Sequence, residues 1–441
     1  MMMNGKVIFV VLDGLGDLPV RELGWKTPLQ HAKTPNLDYL ADVGITGLID
    51  IISPGVPPGS DSAHLALFGY DPIHEYPGRG PFEAAGYGFA LEDNEVAFRV
   101  NFATVENVGK TLIVKDRRAG RISGEDAKEL TESIKEITEI DGVEIKFAHT
   151  LEHRGVLIFK GENLSHEITD VDPHAINVPV LKSVPLKHAK NISAAEKTAN
   201  IVNKWVKLVY EKLKDHPVNM KRKREGKLPA QIALPRGAGK RFSIESFSER
   251  WGFKPVGIAA GALYKGVARV LGFDLIDVPG ATGLPNTDVY AKFKYAIDAL
   301  KKYDFVFVHI KGTDTLSHKK DPLGKARFIE KIDNALEIIV DDIKRNDELT
   351  LLITGDHATP SKIGYHTGHP VPILIVGPNV RRDDIKMFNE FAVQKGGLGR
   401  ILGQHIMQIL LTYTGRALEY GLKVSSSSLR YIPHKWNALD F

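Results

Sequence analysis

The chain contains no cysteine in 441 residues. That absence excludes disulfides, thiolate metal sites and cysteine nucleophiles together, so any metal must be held by histidine and carboxylate. It also lacks any apolar run of about 18 residues, the length a membrane-spanning helix requires. The opening residues lead into the short apolar run Val7–Leu12, which stops at Asp13. That run is too short for the core of a signal peptide and reads as a buried strand, so the expectation is a cytoplasmic protein without a membrane partner. A strong charge of one sign is missing as well. The formal net charge of +4 is too small to argue for nucleic acid, and the run Lys221-Arg222-Lys223-Arg224 reads as a solvated loop. Internal repeats and low-complexity segments are absent. What remains is an ordinary globular composition, 43% hydrophobic and 25% charged, long enough for one large α/β domain and a smaller insert. Lysine, glutamate and arginine without cysteine would suit a heat-stable protein.

Four apolar runs have the look of buried parallel strands: Val7–Leu12, Val306–Ile310, Leu351–Thr354 and Ile373–Val376. Helical stretches separate them, at Pro35–Val43, Asp288–Lys302 and Lys325–Lys344. The last repeats apolar residues at Phe328, Ile329, Ile332, Leu336 and Ile339, a helical spacing. Alternating strands and helices predict an α/β fold, a doubly wound, mostly parallel sheet covered on both faces. Residues 96–185 differ. Alternating segments at Val96–Ala103, Thr111–Lys115 and Gly155–Lys160 surround one helix, Gly124–Ile137, and predict a separate α+β insert. The expected division is therefore a core of residues 1–95 and 186–441 with an inserted domain at 96–185. A helix at Ala194–Leu213 and a strand at Ala230–Leu234 leave the placing of 186–255 open.

Ligands of such sheets gather beyond the carboxyl ends of the strands. The polar residues that follow the apolar runs are Asp13, Asp314 with His318, and Asp356-His357, and His366 precedes the last run. Asp314 and His318 would share one helix face at i, i+4; alone, that spacing is as common on solvated helices. Core satisfaction accounts for one or two such residues, not for six at one sheet edge. A mixture of imidazole and carboxylate suits Zn²⁺ or Mn²⁺, with Mg²⁺ or Co²⁺ also accommodated. Two ions roughly 4 Å apart can stabilise the attacking and leaving oxygens of an in-line displacement and lower the pKa of a bound hydroxyl. The segment Gly59-Ser60-Asp61-Ser62-Ala63-His64 offers that hydroxyl where a helix begins. Free N–H groups there favour a phosphate; a plain helix cap is the alternative reading of Ser60.

Taken together, Asp13, Thr34-Pro-Asn-Leu-Asp38, the Gly-Ser-Asp-Ser-Ala-His loop, Asp314-x-x-x-His318, Asp356-His357 and His366-Thr resemble the alkaline phosphatase superfamily. Within it, Pro57–Pro72, Tyr76–Gly86 and Val278–Gly283 are similar to the archaeal type of cofactor-independent phosphoglycerate mutase, and the likeness spans essentially the whole chain. The resemblance implies an alkaline phosphatase-like α/β/α core with an α+β cap. It implies one metal site of Asp314, His318 and His366, and another of Asp13, Asp356, His357 and the nucleophilic serine. In bacterial relatives that serine precedes a loop histidine by four residues. Counting back from His64 gives Ser60, with Ser62 in reserve; His369 falls outside the ligand pattern.

The resemblance also implies an isomerase acting on 2- and 3-phosphoglycerate, in glycolysis and gluconeogenesis, without added 2,3-bisphosphoglycerate. Such a substrate needs fixed cations. Arg236 and Lys265 occupy glycine-flanked places that the family reserves for phosphate binding, and Arg79, Arg118, Arg154 and His174 lie in loops able to complete the pocket. Ser60 would pass through a phosphoserine, with Asp61 or a cap carboxylate as acid and base, and two in-line steps give retention at phosphorus. A phosphatase, a phosphopentomutase-like enzyme or another transferase of the superfamily is the alternative. A regulatory protein that had lost catalysis would lack a ligand or the nucleophile, and none is missing here. Oligomeric state is open, a homo-oligomer included.

Overall fold

The computed structural model describes residues 5–436; residues 1–4 and 437–441, the ends of the expected core segments 1–95 and 186–441, lie outside the described residues. The chain forms two compact units, residues 1–76 with 244–441, and Pro77–Ser243.

The larger unit is built on an eight-stranded sheet. Its order is Asp274–Leu275, Pro255–Ile258, Phe305–Ile310, Lys6–Leu12, Leu349–Thr354, Val371–Val376, Ile45–Asp50 and Gly399–Leu402. Lys6–Leu12 lies between Phe305–Ile310 and Leu349–Thr354, parallel to both. Its residues alternate between two packed faces. Ile8, Val10 and Leu12 join the core formed with the helices Pro35–Val43, Val289–Ala299 and Pro322–Ile343. Phe9 turns the other way, edge-on to Phe68 and Phe305. Burial on both faces, at about 1.5–3 kcal/mol for each large side chain, fixes where the strand ends and therefore where Asp13 stands.

One strand expectation fails. Val371–Val376 runs antiparallel to both its neighbours, Leu349–Thr354 and Ile45–Asp50. A run buried on both faces reads alike in either direction, and residues 355–370 contain no crossover helix of the kind a parallel return needs. The reversal matters for function. Because the reversed strand starts at the carboxyl edge of the others, residues 355–370 form one loop there that carries both His357 and His366.

The smaller unit is wider than the expected 96–185 insert, spanning Pro77–Ser243. The reason is pairing distant in sequence. Ile232–Lys240 runs antiparallel to Glu95–Val108, and helix Ile192–Leu213 packs Trp205, fully buried, into the same core. The strands Thr111–Asp116, Arg154–Lys160, Val143–His149 and Glu139–Ile140 complete its sheet. The basic run is helical (Pro217–Arg224), and Arg222 is turned inward onto Asp126 at 2.7 Å. It is therefore not a continuous solvated patch. Among the described residues no helix is long and apolar enough to cross a membrane.

Candidate metal centre and anion cluster

Three parallel strands of the larger unit deliver acids at the same edge. Asp13 follows Leu12, Asp314 lies on the helix Gly312–His318 that follows Ile310, and Asp356 follows Thr354. The turn after Asp13 requires glycine. Gly14 has φ +66°, and a Cβ there would stand 2.8 Å from Thr359 Oγ1 and 2.9 Å from Asp314 Cβ. Its N–H donates to Asp356 Oδ1 at 2.9 Å, tying two of the acids together.

The donor atoms fall into two groups, Asp314 with His318 and His366, and Asp13 with Asp356 and His357, each within 4.8 Å of one another. Three hydrogen bonds fix which histidine nitrogen is available. His318 Nδ1–H donates to the Gly364 carbonyl at 2.7 Å, and His366 Nδ1–H to that of Pro58 at 2.9 Å. Thr359 Oγ1 donates to Asp314 Oδ1 at 3.2 Å, so it accepts from His357 Nδ1–H at 2.8 Å. With every Nδ1 proton engaged, each Nε2 keeps its lone pair, the arrangement of a metal-ligating imidazole. Those Nε2 atoms face carboxylates: His318 and His366 stand 3.3 and 3.7 Å from Asp314 Oδ1, and His357 stands 3.4 Å from Asp13 Oδ1.

Two of the carboxylates, Asp13 and Asp356, are divided between a held and a free oxygen. Asp13 Oδ2 takes hydrogen bonds from Tyr264 Oη, His309 Nε2 and Lys311 Nζ, whereas Oδ1 is buried without a hydrogen-bond partner. Asp356 Oδ2 is orphaned in the same way. Three buried carboxylates thus face one ammonium, that of Lys311, which bridges Asp13 at 3.0 Å and Asp314 at 2.8 Å. Burial works against ionisation of both partners, but their attraction prevails. Lys311 is held well above the ordinary lysine range, Asp13 well below the carboxylate range, and Asp314 at about 2. Asp356, buried and next to Asp13, is pushed well up. Burial pushes His357 well down, with His366 adding to it, so its ring stays neutral. Uncompensated buried negative charge, orphaned oxygens and neutral imidazoles are what divalent cations satisfy, and these residues fit them.

The serine completes this edge. Ser60 is the first residue of helix Ser60–Leu67; Gly59 is the N-cap and no side chain caps the helix, so the plain capping reading fails. Ser60 Oγ is buried, 3.4 Å from His357 Nε2. Ser62 is half-buried and donates to the Gly59 carbonyl at 3.1 Å. Asp61 is buried and accepts from Tyr76 Oη at 2.6 Å. Lys265, expected at the substrate, is paired with Asp277; its neighbour Tyr264 is the residue of that segment that reaches Asp13. His369 is exposed, 2.8 Å from Thr367 Oγ1.

Lys311, Tyr264, His309 and Thr359 escaped the sequence reading. His309 and Lys311 flank the last residue of an apolar run whose end had been recognised, and that position was the available signal.

The other expected cations belong to the smaller unit. Arg79 Nε donates to Glu83 Oε1 at 3.2 Å, and Arg99, nearly fully buried, bonds the same oxygen. Burial opposes a charged Glu83, but Arg99, Arg79 and Arg154 hold it at about 2. Arg154 Nε is buried without a hydrogen-bond partner. Arg236 lies 2.7 Å from His174 Nε2, and Arg117 makes a two-pronged bond to Asp172 at 2.8 and 2.6 Å. His174 and Arg118 are exposed. His153 is buried beside these arginines; burial, then Arg154 and Arg99, push it down to about 2.

A mostly parallel sheet whose carboxyl edge carries a buried serine and two histidine–carboxylate groups defines an α/β protein with places fit for divalent ions. The comparisons narrow the class. The model of the family described as 2,3-bisphosphoglycerate-independent phosphoglycerate mutase matches residues 41–219. The Methanocaldococcus jannaschii protein of that name, numbered 1, is 47% identical over 420 residues, 95% of this chain and 100% of the relative. Its Pyrococcus horikoshii namesake is 46% identical over 422 residues, 96% and 100% of the two chains. A solved Pyrococcus horikoshii structure superposes with a TM-score of 0.80 at 40% identity, covering 95% of this chain and 100% of that one. The cofactor-independent phosphoglycerate mutase of Thermoplasma acidophilum gives 0.63 at 34% identity, covering 93% and 100%. The chain belongs to the 2,3-bisphosphoglycerate-independent phosphoglycerate mutase family.

Proposed function

We propose that the chain interconverts 2- and 3-phosphoglycerate through a phosphoserine on Ser60, without added 2,3-bisphosphoglycerate. The observation that supports this reading most is the approach of the buried Ser60 hydroxyl to His357, inside the group whose free carboxylate oxygens call for a cation. Asp314, His318 and His366 would hold one divalent ion, and Asp13, Asp356, His357 and Ser60 the other, with Mn²⁺ or Zn²⁺ favoured over Mg²⁺ or Co²⁺ by the imidazoles. Bound there, the ions supply Lewis acidity and lower the pKa of the serine hydroxyl.

The protein's own groups do the remainder. Ser60 Oγ forms a bond to phosphorus as the bond to the substrate oxygen breaks, and the departing alkoxide takes a proton. Asp61, or a carboxylate of the smaller unit, is proposed to give that proton and later accept one from the other hydroxyl of glycerate, whose oxygen then bonds phosphorus as the bond to Ser60 Oγ breaks. The helix N-terminus at Ser60 offers N–H groups to the phosphate. Arg79, Arg118, Arg154, His174 and Arg236, with Lys265, are proposed to bind the substrate's anionic groups. A phosphoglycerate is the proposed partner, and a cytoplasmic location suits it; neither nucleic acid nor a membrane enters the reading.

The test is a Mn²⁺-supplemented assay of both phosphoglycerates without bisphosphoglycerate. Ser60→Ala should lose on the order of 10⁴-fold or more in kcat, and Ser62→Ala should stay within about threefold, as expected for a side chain outside the reacting group. Full activity in Ser60→Ala would sink the nucleophile assignment. Phosphate release in place of isomerisation would favour the phosphatase alternative.

A further inference from the structure

Beneath the metal-ligand loops lies a second buried charged cluster that the reaction itself does not use. Lys325, in the first turn of helix Pro322–Ile343, is completely buried. Its ammonium donates to Asp17 Oδ2 and to the Gly14 carbonyl, both at 2.8 Å, with the Thr359 carbonyl at 3.4 Å and that of Gly16 at 3.5 Å. Asp17 in turn accepts from the Ser361 N–H at 2.9 Å and from its hydroxyl at 3.2 Å.

These bonds join two loops that are distant in sequence. Gly14 adjoins Asp13, and its own N–H holds Asp356. Thr359 orients both His357 and Asp314 through its hydroxyl. One ammonium and one carboxylate therefore fasten the backbone of the loop after Lys6–Leu12 to that of the loop after Leu349–Thr354. A lysine inside a core is costly unless it is paired and fully hydrogen-bonded, and a methionine would fill the same volume without that cost. Lys325 has four acceptors, all on the loops that carry ligands.

We infer that the buried Lys325–Asp17 pair is a positioning device that sets the separation of the two metal-ligand loops, and so the affinity of the site for its divalent ions. The inference rests on the metal reading under Proposed function. Outer partners of this kind alter metal affinity by about 10–100-fold when removed.

The experiment is calorimetric titration of metal-stripped protein with Mn²⁺ alone, beside melting temperatures with and without Mn²⁺. Lys325→Met should weaken Mn²⁺ binding at least tenfold and shrink the Mn²⁺-induced rise in melting temperature. Lys325→Arg, which keeps the charge, should recover part of both. A merely structural pair predicts another result: metal-free and metal-loaded proteins lose the same number of degrees, and the Mn²⁺ affinity stays within twofold of wild type. That result overturns the inference. Should Lys325→Met not fold, Asp17→Asn and Ser361→Ala ask the same question more gently, and unchanged affinity in both is equally fatal. Failure of the wild type to bind Mn²⁺ would instead remove the metal reading on which this rests.

Discussion

The two compact units face the same physical problem with opposite signs. In the larger one, Asp13, Asp314 and Asp356 are buried around the single ammonium of Lys311. In the smaller one, Arg79 and Arg99 share one oxygen of Glu83, while Arg117 and Arg236 are drawn to Asp172. In the acidic cluster Asp13 Oδ1 and Asp356 Oδ2 have no hydrogen-bond donor. Like charges brought together out of water raise the free energy of the folded chain until a counter-charge arrives. The acidic cluster is therefore suited to cations, and under the proposed function the arginines of the smaller unit serve the anionic groups of the substrate.

The largest effect should come from breaking the acidic side. Chelation of divalent ions should lower mutase activity by several kcal/mol of transition-state stabilisation, on the order of 10³-fold. Added Mn²⁺ should restore it. Hydrogen exchange gives a second readout: amides of residues 13–17 and 356–361 should exchange faster in the metal-free protein. Activity that survives thorough chelation would remove the counter-charge account of this unit.

Next comes the basic side. Glu83→Gln removes the charge that Arg79 and Arg99 share and leaves the buried Arg99 guanidinium unpaired. Breaking a buried pair from one side costs about 3–5 kcal/mol. The expected outcome is a lower melting temperature together with a raised KM for phosphoglycerate. A raised KM at high phosphate concentration only would point to competition, not to lost positioning. The acid dependence follows with its sign. The Glu83 carboxyl is depressed to about 2 from an ordinary 4.5, so its stabilisation is complete above about pH 4.5 and is lost as the pH falls from there toward 2. Glu83→Gln should flatten that limb of the stability curve.

How much of this was legible in the sequence depended on how local the signal was. Asp13 and Asp356 were readable because each stands where a buried apolar run stops, and a sheet of parallel strands has one carboxyl edge. His366 was grouped with them because it precedes an apolar run, yet a parallel strand would have begun at the opposite edge; its place beside the others depends on the reversed strand Val371–Val376. Lys311 stayed hidden because a lysine after a strand usually marks solvent. Only the convergence of Asp13 and Asp314 shows that it is a counter-charge. Lys325 was read as the start of an amphipathic helix; it stands three and four residues before Phe328 and Ile329, on the buried face, but a lysine at a helix start ordinarily reaches solvent and its partners lie on distant loops. The boundary of the smaller unit was misjudged for a related reason. The pairing of Ile232–Lys240 with Glu95–Val108 leaves no trace in local periodicity.

The smallest effect tests the floor beneath the acidic cluster. Glu390 is buried, accepting from the Asp17 N–H at 3.1 Å and from Thr27 Oγ1 at 2.7 Å. Burial pushes its carboxyl up to about 7. For an acid raised in the folded state, the sign is the reverse of Glu83. The folded chain keeps a proton that the unfolded chain releases above about pH 4.5, so stability is lost as the pH rises from there through 7. Replacement by glutamine removes that loss, about 3 kcal/mol at most from the shift. It also sacrifices one acceptor to Asp17 or Thr27, at about 1 kcal/mol. Glu390→Gln should therefore be stabilised by about 1–2 kcal/mol at pH 8 and by nothing, or slightly less than nothing, at pH 5. Urea unfolding at the two pH values measures this directly. Equal effects at both would mean that Glu390 carries no extra proton in the folded chain.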